Sequence, residues 1–205
     1  MTERYRDGMT ARGYQMRARA DSTASTQEAI LTATIALAYE LARLDFSLEQ
    51  VAERANRSVQ TILRHFGSRD ALFEAAIQRG MAEVAAERRA PDADPARALD
   101  LLVDHYEQRG RFVLRLLALE DDRGAESVTG PGRLLHRQWV EDVFAGTIES
   151  AVGDRDALVD ELVVVTDVYA WKLLRLDRGL DTPVVRERLG AMVEAIIASA
   201  RTGGR

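Results

Sequence analysis

Apolar residues recur at helical spacing along most of the chain, and polar residues, glycine or proline separate one apolar run from the next. The first run begins at a capping box, Ser25 to Glu28, and continues to about Leu44. The same period, with the same punctuation, predicts eight further helices. They cover residues 47–55, 59–66, 69–89, 95–109, 110–121, 132–151, 155–178 and 183–201. The pattern therefore predicts an all-α protein of about nine helices.

Two of these helices are short and are separated by a three-residue break, Asn56 to Ser58. Ser47 can cap the first helix, and Gln50 completes its capping box. Apolar positions on both helices would face inward: Leu48, Val51, Ala52, Ala55, Val59, Ile62 and Phe66. The second helix turns a polar face outward. A short helix that is polar outward and pinned to a partner is what a helix-turn-helix offers to the DNA major groove.

The stretch from Thr61 to Leu72 resembles the DNA-binding end of TetR/AcrR-type transcriptional regulators, closely over residues 30–77 and in its all-helical architecture beyond them. The resemblance implies an N-terminal three-helix DNA-binding domain followed by a C-terminal helical bundle for ligand binding and dimerisation. Two residues depart from the family. Asn56 stands where glycine is frequent, but asparagine tolerates a left-handed backbone, so the turn should survive. Leu63 stands where a tyrosine hydroxyl usually reaches a phosphate, which puts that one contact in doubt.

The chain divides by pattern into an N-terminal arm (residues 1–26), a helix-turn-helix domain (27–72) and a helical ligand-binding and dimerisation domain (73–205). The arm carries five arginines among small and polar residues. Its composition indicates a flexible tail, and a basic arm that follows the DNA minor groove is the alternative. The helix that begins at residue 69 has no break near residue 72. A shift at one end of that helix would therefore move the other end.

The outward face of the second short helix, with its surroundings, supplies candidate DNA contacts. Gln60 and Thr61 can reach base edges, whereas arginine and histidine side chains suit phosphates. The full candidate set is Ser47, Arg57, Ser58, Gln60, Thr61, Arg64, His65 and Arg69. An ordinary solvated helical hairpin would carry similar residues, and only the family resemblance separates the two interpretations.

Charge changes this picture little. The net charge is −5, with +1 on residues 1–80 and −6 on residues 81–205. This asymmetry favours DNA binding by the N-terminal part, but local phosphate contacts decide affinity. Cysteine is absent, which excludes disulfides and thiolate metal sites. No segment approaches the roughly 18 uncharged apolar residues of a membrane helix. We therefore expect a soluble cytoplasmic protein with no membrane partner.

Aromatic residues recur on the helices of the C-terminal part, where core packing is the simpler interpretation of each. The family resemblance implies a cavity that binds a small-molecule effector, and aromatic walls with few polar anchors are typical of ligand pockets. The candidate pocket residues are Tyr106, Phe112, Leu116, His136, Trp139, Phe144, Tyr169 and Trp171. Further polar candidates, among which no spacing selects, are His105, Arg109, Arg115 and Gln138.

The last two predicted helices carry more apolar positions than one buried face requires. The surplus positions are Val159, Val163, Ala170, Val193 and Ile197. They predict a face that a second copy of the chain covers. Family resemblance implies a two-fold four-helix bundle that sets the recognition helices on successive major grooves.

These observations predict a homodimer that binds double-stranded operator DNA, most simply a repressor released by a small-molecule effector of unknown identity. A regulator that answers to a protein partner, or to no effector, is the alternative. An enzyme is disfavoured because His65, His105 and His136 lie far apart in sequence, with no phosphate loop or nucleophile motif. We therefore expect no catalytic residue, no metal and no cofactor.

Overall fold

The computed structural model describes the backbone of residues 4–41, 43–90, 94–119 and 123–202. In this part of the chain the secondary structure is entirely helical, which confirms the predicted all-α class. The α-helices are α1 (Arg4–Leu41), α2 (Leu48–Ala55), α3 (Val59–Phe66), α4 (Arg69–Glu87), α5 (Pro95–Leu117), α6 (Arg123–Val143), α7 (Ala145–Ser150), α8 (Arg155–Thr166), α9 (Val168–Lys172) and α10 (Thr182–Thr202). A π-helical turn (Leu173–Asp177) follows α9. None of the described helices is long and apolar enough to cross a membrane.

The chain divides into two compact units. The first comprises Met1–Leu41 and Asp45–Arg79, and the second comprises Ala42–Leu44 and Gly80–Arg205. This division and the boundary expected at residue 72 both fall inside α4. Helix α4 therefore contributes residues to each unit.

Helix α1 begins far upstream of the capping box expected at Ser25. That residue lies inside the helix, and the neighbouring Thr26 hydroxyl donates to the Ser22 carbonyl over 2.9 Å. Residues 4–24 contain no proline and several alanine and arginine residues, which favour helix. The expected arm is consequently helical from Arg4, and its residues 1–3 lie outside the described part. Its contact with DNA stays a prediction.

The core of the first unit lies between α1, α2, α3 and α4. Ile30, Val51, Ile62 and Leu72, one from each helix, are fully buried. Their positions follow the helical period of the sequence, because each helix turns its apolar stripe toward the other three. The packing holds the short helices α2 and α3, which would be marginal in isolation.

The second unit packs its helices around a single apolar core. The most deeply buried members are Ala98, Leu102, Val103, Val140, Phe144, Leu162, Trp171, Val185 and Leu189. They come from α5, α6, α8, α9 and α10, except Phe144, which lies between α6 and α7. This core is therefore formed by residues that are distant in sequence.

Three breaks expected in this unit are placed differently. Helix α5 continues through Gly110, and α6 begins at Arg123 and continues through Pro131. An exposed proline removes only one backbone hydrogen bond, which the rest of a long helix tolerates. Conversely, the helix expected over residues 155–178 stops at Asp167, whose backbone is extended and whose carboxylate accepts the Tyr169 N–H over 2.8 Å. A side-chain cap thus divides a continuous apolar pattern.

Gly110 serves packing rather than chain reversal. A Cβ built at this residue would lie 2.6 Å from a ring carbon of Trp171, whose side chain is almost fully buried. The missing side chain lets the indole of α9 lie directly against the backbone of α5. The glycine is therefore explained by a close approach, not by a turn.

Gly110→Ala should be less stable than Gly80→Ala by about 1–3 kcal/mol, because the added methyl overlaps the Trp171 ring and overpacking strains a core. Gly80 is the matched control, since it also lies within a helix and a Cβ there meets no atom within 4 Å. The helix-propensity gain is common to both variants. Urea unfolding of the two proteins measures the difference, and equal stability would contradict the packing argument.

Candidate DNA-binding surface and effector site

The two short helices meet through well-satisfied caps. The Gln50 N–H donates to the Ser47 hydroxyl over 3.4 Å, and the Ser47 N–H donates to the Gln50 side-chain oxygen over 2.9 Å. This confirms the capping box that begins α2. Ser58 caps α3 in the same way by accepting the Thr61 N–H over 3.1 Å. The start of each helix is thus fixed by a hydrogen bond between residues three apart in sequence.

Asn56 makes the turn between α2 and α3. Its backbone is left-handed, with φ 51° and ψ 51°, and it is the only non-glycine residue of the described part with a positive φ. The following residue, Arg57, returns its N–H to the Ala52 carbonyl over 2.9 Å. The expectation that asparagine preserves the turn is confirmed.

The exposed face of α3 consists of Gln60, Leu63 and Arg64, with His65 half-buried beside them. Among the described residues, Gln60 and Arg64 have no side-chain hydrogen bond or ion pair that would hold them against the protein. Thr61 differs, because its hydroxyl lies 2.9 Å from that of Ser58. Leu63, which stands where the resembling family usually has a tyrosine, is 39% exposed. The free polar groups on this face are therefore those of Gln60 and Arg64.

Two arginines in the candidate DNA-binding set are already engaged. Arg57 donates to the Asn56 carbonyl over 2.8 Å. Arg69 donates to the Phe46 carbonyl over 3.1 Å and lies over the Phe73 ring at 4.2 Å. Arg69 thus fastens the segment before α2 to α4. Its contribution to DNA binding stays a prediction.

The candidate pocket residues separate into buried and exposed groups. Buried are Tyr106, Leu116, His136, Trp139, Phe144 and Trp171. Phe112 is half-buried, and Tyr169 is 49% exposed. Tyr169 therefore does not line the interior of the unit. Tyr169 lies in the first turn of α9, after the N-cap Asp167, and its side chain is on the outward face of that helix.

A buried polar cluster lies among these aromatics, and it centres on Arg88, a residue that the sequence did not single out. Arg88 is 5% exposed, and its guanidinium donates to His136 Nδ1 over 2.7 Å. The guanidinium carbon lies 5.0 Å from the centre of the Trp139 ring. The Trp139 indole N–H returns a hydrogen bond to the Arg88 carbonyl over 3.1 Å. Helices α4 and α6 are joined at this point.

The cluster extends from His136 to α8 and α5. His136 Nε2 lies 3.2 Å from the Thr166 hydroxyl, which itself donates to the Leu162 carbonyl over 2.6 Å. The Tyr106 hydroxyl donates to the Thr166 carbonyl over 2.9 Å. Four helices consequently contribute to one connected set of buried hydrogen bonds.

Burial keeps both histidines of this region neutral. Burial and the nearby Arg88 charge lower the pKa of His136 to about 3, and burial likewise lowers the pKa of His105 to about 4. Neutral His136 accepts from Arg88 at Nδ1, so its proton resides on Nε2. Burial also raises the pKa of the Tyr106 hydroxyl, which stays protonated. The only full charge at the centre of the cluster belongs to Arg88.

Arg88 escaped sequence inspection because it resembles an ordinary basic residue in the last turn of a helix, beside Arg89. Thr166 is a small polar residue without a distinctive spacing. His105 and His136 are distant in sequence, but burial and the charge of Arg88 lower the pKa of both. Among the described residues, no group of three or more His, Cys, Asp or Glu side chains is arranged to hold a metal ion.

The five apolar positions of the predicted dimer face differ in burial within the single chain. Val159 and Val193 are 4% and 5% exposed and pack in the core of their own unit. Val163, Ala170 and Ile197 are half-buried. The exposed apolar residues nearby are Val164, Tyr169, Leu173 and Met192. Because α8 is apolar on two sides, the sequence alone could not tell which side faces inward.

An open groove marks the outward apolar side. Its walls are Asp160, Glu161, Val164, Val165, Ala170, Met192 and Ile196. Val164 is 70% exposed at this groove, and Met192 is 39% exposed. Helices α8 and α10 thus present a continuous apolar surface to solvent.

Comparisons with known proteins agree with this architecture. The sequence profile of the family described as "Bacterial regulatory proteins, tetR family" matches residues 30–76. A transcriptional regulator from Rhodococcus sp. Rha1 has 20% identity and a TM-score of 0.61, over 85% of this chain and 97% of that chain. A putative TetR-family transcriptional regulator from Rhodococcus sp. has 17% identity and a TM-score of 0.62, over 84% of this chain and 99% of that chain.

A TetR transcription regulator from Haloarcula marismortui is also similar, with 17% identity and a TM-score of 0.60, over 84% of this chain and 98% of that chain. Among curated protein sequences, no significant match was found. At these identities the solved structures establish a shared fold along most of both chains.

Proposed function

We propose that this chain is a regulator of the tetR family, whose profile matches residues 30–76, and that it acts as a homodimeric transcriptional repressor that a small-molecule effector releases from operator DNA. The observation that carries the proposal is the α2–turn–α3 element, whose caps are complete and whose exposed face is polar. The protein would act in the cytoplasm, where it meets its DNA.

Helix α3 supports the DNA-binding part of this proposal. Gln60 and Arg64 extend from a short helix that two caps and a buried Ile62 hold in place. Glutamine suits the adenine edge in the major groove, and arginine suits either phosphate or guanine. Because the backbone of the helix is already fixed, binding would cost little backbone conformational entropy.

The exposed apolar surface of α8 and α10 supports the homodimer. Val164 of α8 and Met192 of α10 are large apolar residues exposed together at the groove, and contiguous exposed apolar patches mark interaction surfaces. A second copy of the chain would cover them about a two-fold axis. Two recognition helices are then available for the two halves of an operator.

The interior of the second unit supports the effector. Its buried aromatic residues surround a polar cluster, which is how small-molecule sites are commonly composed. Helix α4 contributes Leu72 to the core of the first unit, and Arg88 directly follows its last turn in the second. A ligand that favours one setting of α4 would shift the population of DNA-competent dimers by its differential affinity.

A paired titration tests the function. The full chain should protect a defined segment of the DNA flanking its own gene, and an effector should release that segment over the same concentration range in which it changes Trp139 and Trp171 fluorescence. The ranges must agree because coupling between two sites is reciprocal. A folded dimer that shows no sequence preference for DNA would overturn the proposal. Specific DNA binding that no tested metabolite alters would instead favour a regulator that answers to a protein partner or to no effector.

A further inference from the structure

Arg88 is a buried cation without a carboxylate partner in the described part of the chain. The contacts of its guanidinium there are neutral: the Nδ1 atom of His136 and the face of the Trp139 ring. Its Nε–H is buried and has no acceptor among the described residues. Arginine stays protonated in proteins, so its charge remains after burial. A buried charge that is neither paired nor fully hydrogen-bonded is strongly unfavourable.

The neighbouring acidic groups do not neutralise this charge directly. Glu87 pairs with Arg109, and its other oxygen lies 3.3 Å from His105 Nδ1. The carboxylate of Asp167 accepts the Tyr169 N–H at the start of α9. It attracts the Arg88 charge from a distance but forms no ion pair with it. The interior therefore retains positive charge where apolar side chains exclude water.

A second buried polar atom, on α6, also has no hydrogen-bond partner among the described residues. The Thr129 hydroxyl is buried and has no hydrogen-bond partner within the described structure. Thr129 precedes His136 by seven residues on α6, which places the two side chains on one face about 10 Å apart along the axis. Unsatisfied buried polar groups are rare in folded proteins, and such a group commonly marks the place where a ligand binds. Helix α6 thus presents polar groups toward the interior that the protein leaves partly unused.

We propose that the effector is an anion, a small molecule with a carboxylate on an apolar body, and that the carboxylate binds the Arg88 guanidinium. The apolar body lies against the buried ring of Trp139, over which Arg88 lies, and against Phe144, whose ring centre is 6.3 Å from that of Trp139. A planar carboxylate matches the guanidinium geometry and supplies the missing acceptor for Nε–H. This inference rests on the proposed function, since it names the chemical class of the effector.

Matched acids and amides test the charge requirement on the full chain. Benzoate is compared with benzamide and octanoate with octanamide, which separates an aromatic from an aliphatic body. The preferred acid should bind about 10–100-fold more tightly than its amide, as expected for a charged hydrogen bond. At about ten times its Kd it should raise Tm by about 3–6 °C. Equal binding of acid and amide, or binding of neither, overturns the inference.

Substitution at Arg88 then assigns the preference to this residue. Arg88→Met removes the charge and should abolish discrimination between acid and amide, whereas Arg88→Lys should retain part of it. Arg89→Met is the matched control, because Arg89 is the exposed neighbour and its loss should leave discrimination unchanged. Arg88→Met should also keep or raise the Tm of the ligand-free protein, since an apolar residue replaces an unpaired buried charge. If Arg88→Met folds and still prefers the acid, the inference is wrong. If it does not fold, Arg88→Lys decides, and undiminished preference there overturns the guanidinium contact.

Operator release, measured on the same samples, separates this inference from the proposed function. An acid that binds through Arg88 and leaves DNA affinity unchanged supports the anion site and contradicts its role as the effector site. Operator DNA that a different, uncharged ligand releases supports the proposed function and overturns the anion class.

Discussion

Val164→Glu should convert the protein from a dimer to a folded monomer and lower its operator affinity by about 100-fold or more. An unpaired charge placed in a buried apolar interface costs about 3–5 kcal/mol, which weakens association by at least about two orders of magnitude. The valine is 70% exposed on the proposed dimer face, so the isolated protomer loses no core contact. Sedimentation equilibrium should show the monomer, and circular dichroism should show unchanged helicity.

Two variants with the same substitution serve as controls. Val193→Glu places the charge in the core of the protomer, where the valine is 5% exposed, and should unfold the second unit. Val152→Glu alters a residue that is 62% exposed but does not line the groove, and it should remain a dimer. If Val164→Glu sediments like Val152→Glu, α8 and α10 do not form the interface at this groove.

Removing either free polar side chain of α3 should have the second largest effect. Gln60→Ala should weaken binding to the operator by about 1–3 kcal/mol and relax specificity at one base pair, if Gln60 reads a base edge. Arg64→Ala should weaken binding to operator and unrelated DNA alike and lower the salt slope by about one unit, if Arg64 contacts a phosphate. Fluorescence anisotropy over a range of salt concentrations measures both quantities.

The controls are exposed residues of the same types elsewhere. Gln78→Ala on α4 and Arg111→Ala on α5 remove a glutamine and an arginine from exposed helix faces. Their DNA affinities should equal that of the unmodified protein. Loss of affinity in the controls, or none in Gln60→Ala and Arg64→Ala, would reject α3 as the recognition helix. Arg69→Ala is less informative, because it also removes the bond to the Phe46 carbonyl.

The helix-turn-helix could be predicted in detail because its determinants are local. The caps at Ser47 and Ser58 join residues three apart, and the left-handed turn depends on Asn56 itself. Interactions of such short range do not depend on the remainder of the fold. The same locality explains why the polar face of α3 was identified correctly while its individual DNA contacts stay predictions.

Local signals failed where a distant residue changed their meaning. In the sequence, Gly110 predicts the end of a helix. In the structure, α5 continues through Gly110, and the Trp171 ring packs against its backbone. The apolar run Leu162 to Val165 favours burial on more than one side, and only packing against α6 and α10 decides that Val164 faces solvent. A periodic pattern establishes that a helix has an apolar face, but two such faces on one helix are equivalent until neighbours choose between them.

The sequence by itself determined the all-α class, the capped recognition helix and the composition of a mostly apolar second unit, because these follow from residues within one or two turns of each other. Only the tertiary structure decided which valines are core and which form the outward groove. It alone placed Arg88 against His136, which lies 48 residues away, and left its charge without a carboxylate among the described residues. Burial and electrostatic pairing are properties of three-dimensional neighbours, so a single sequence carries no local signal for them.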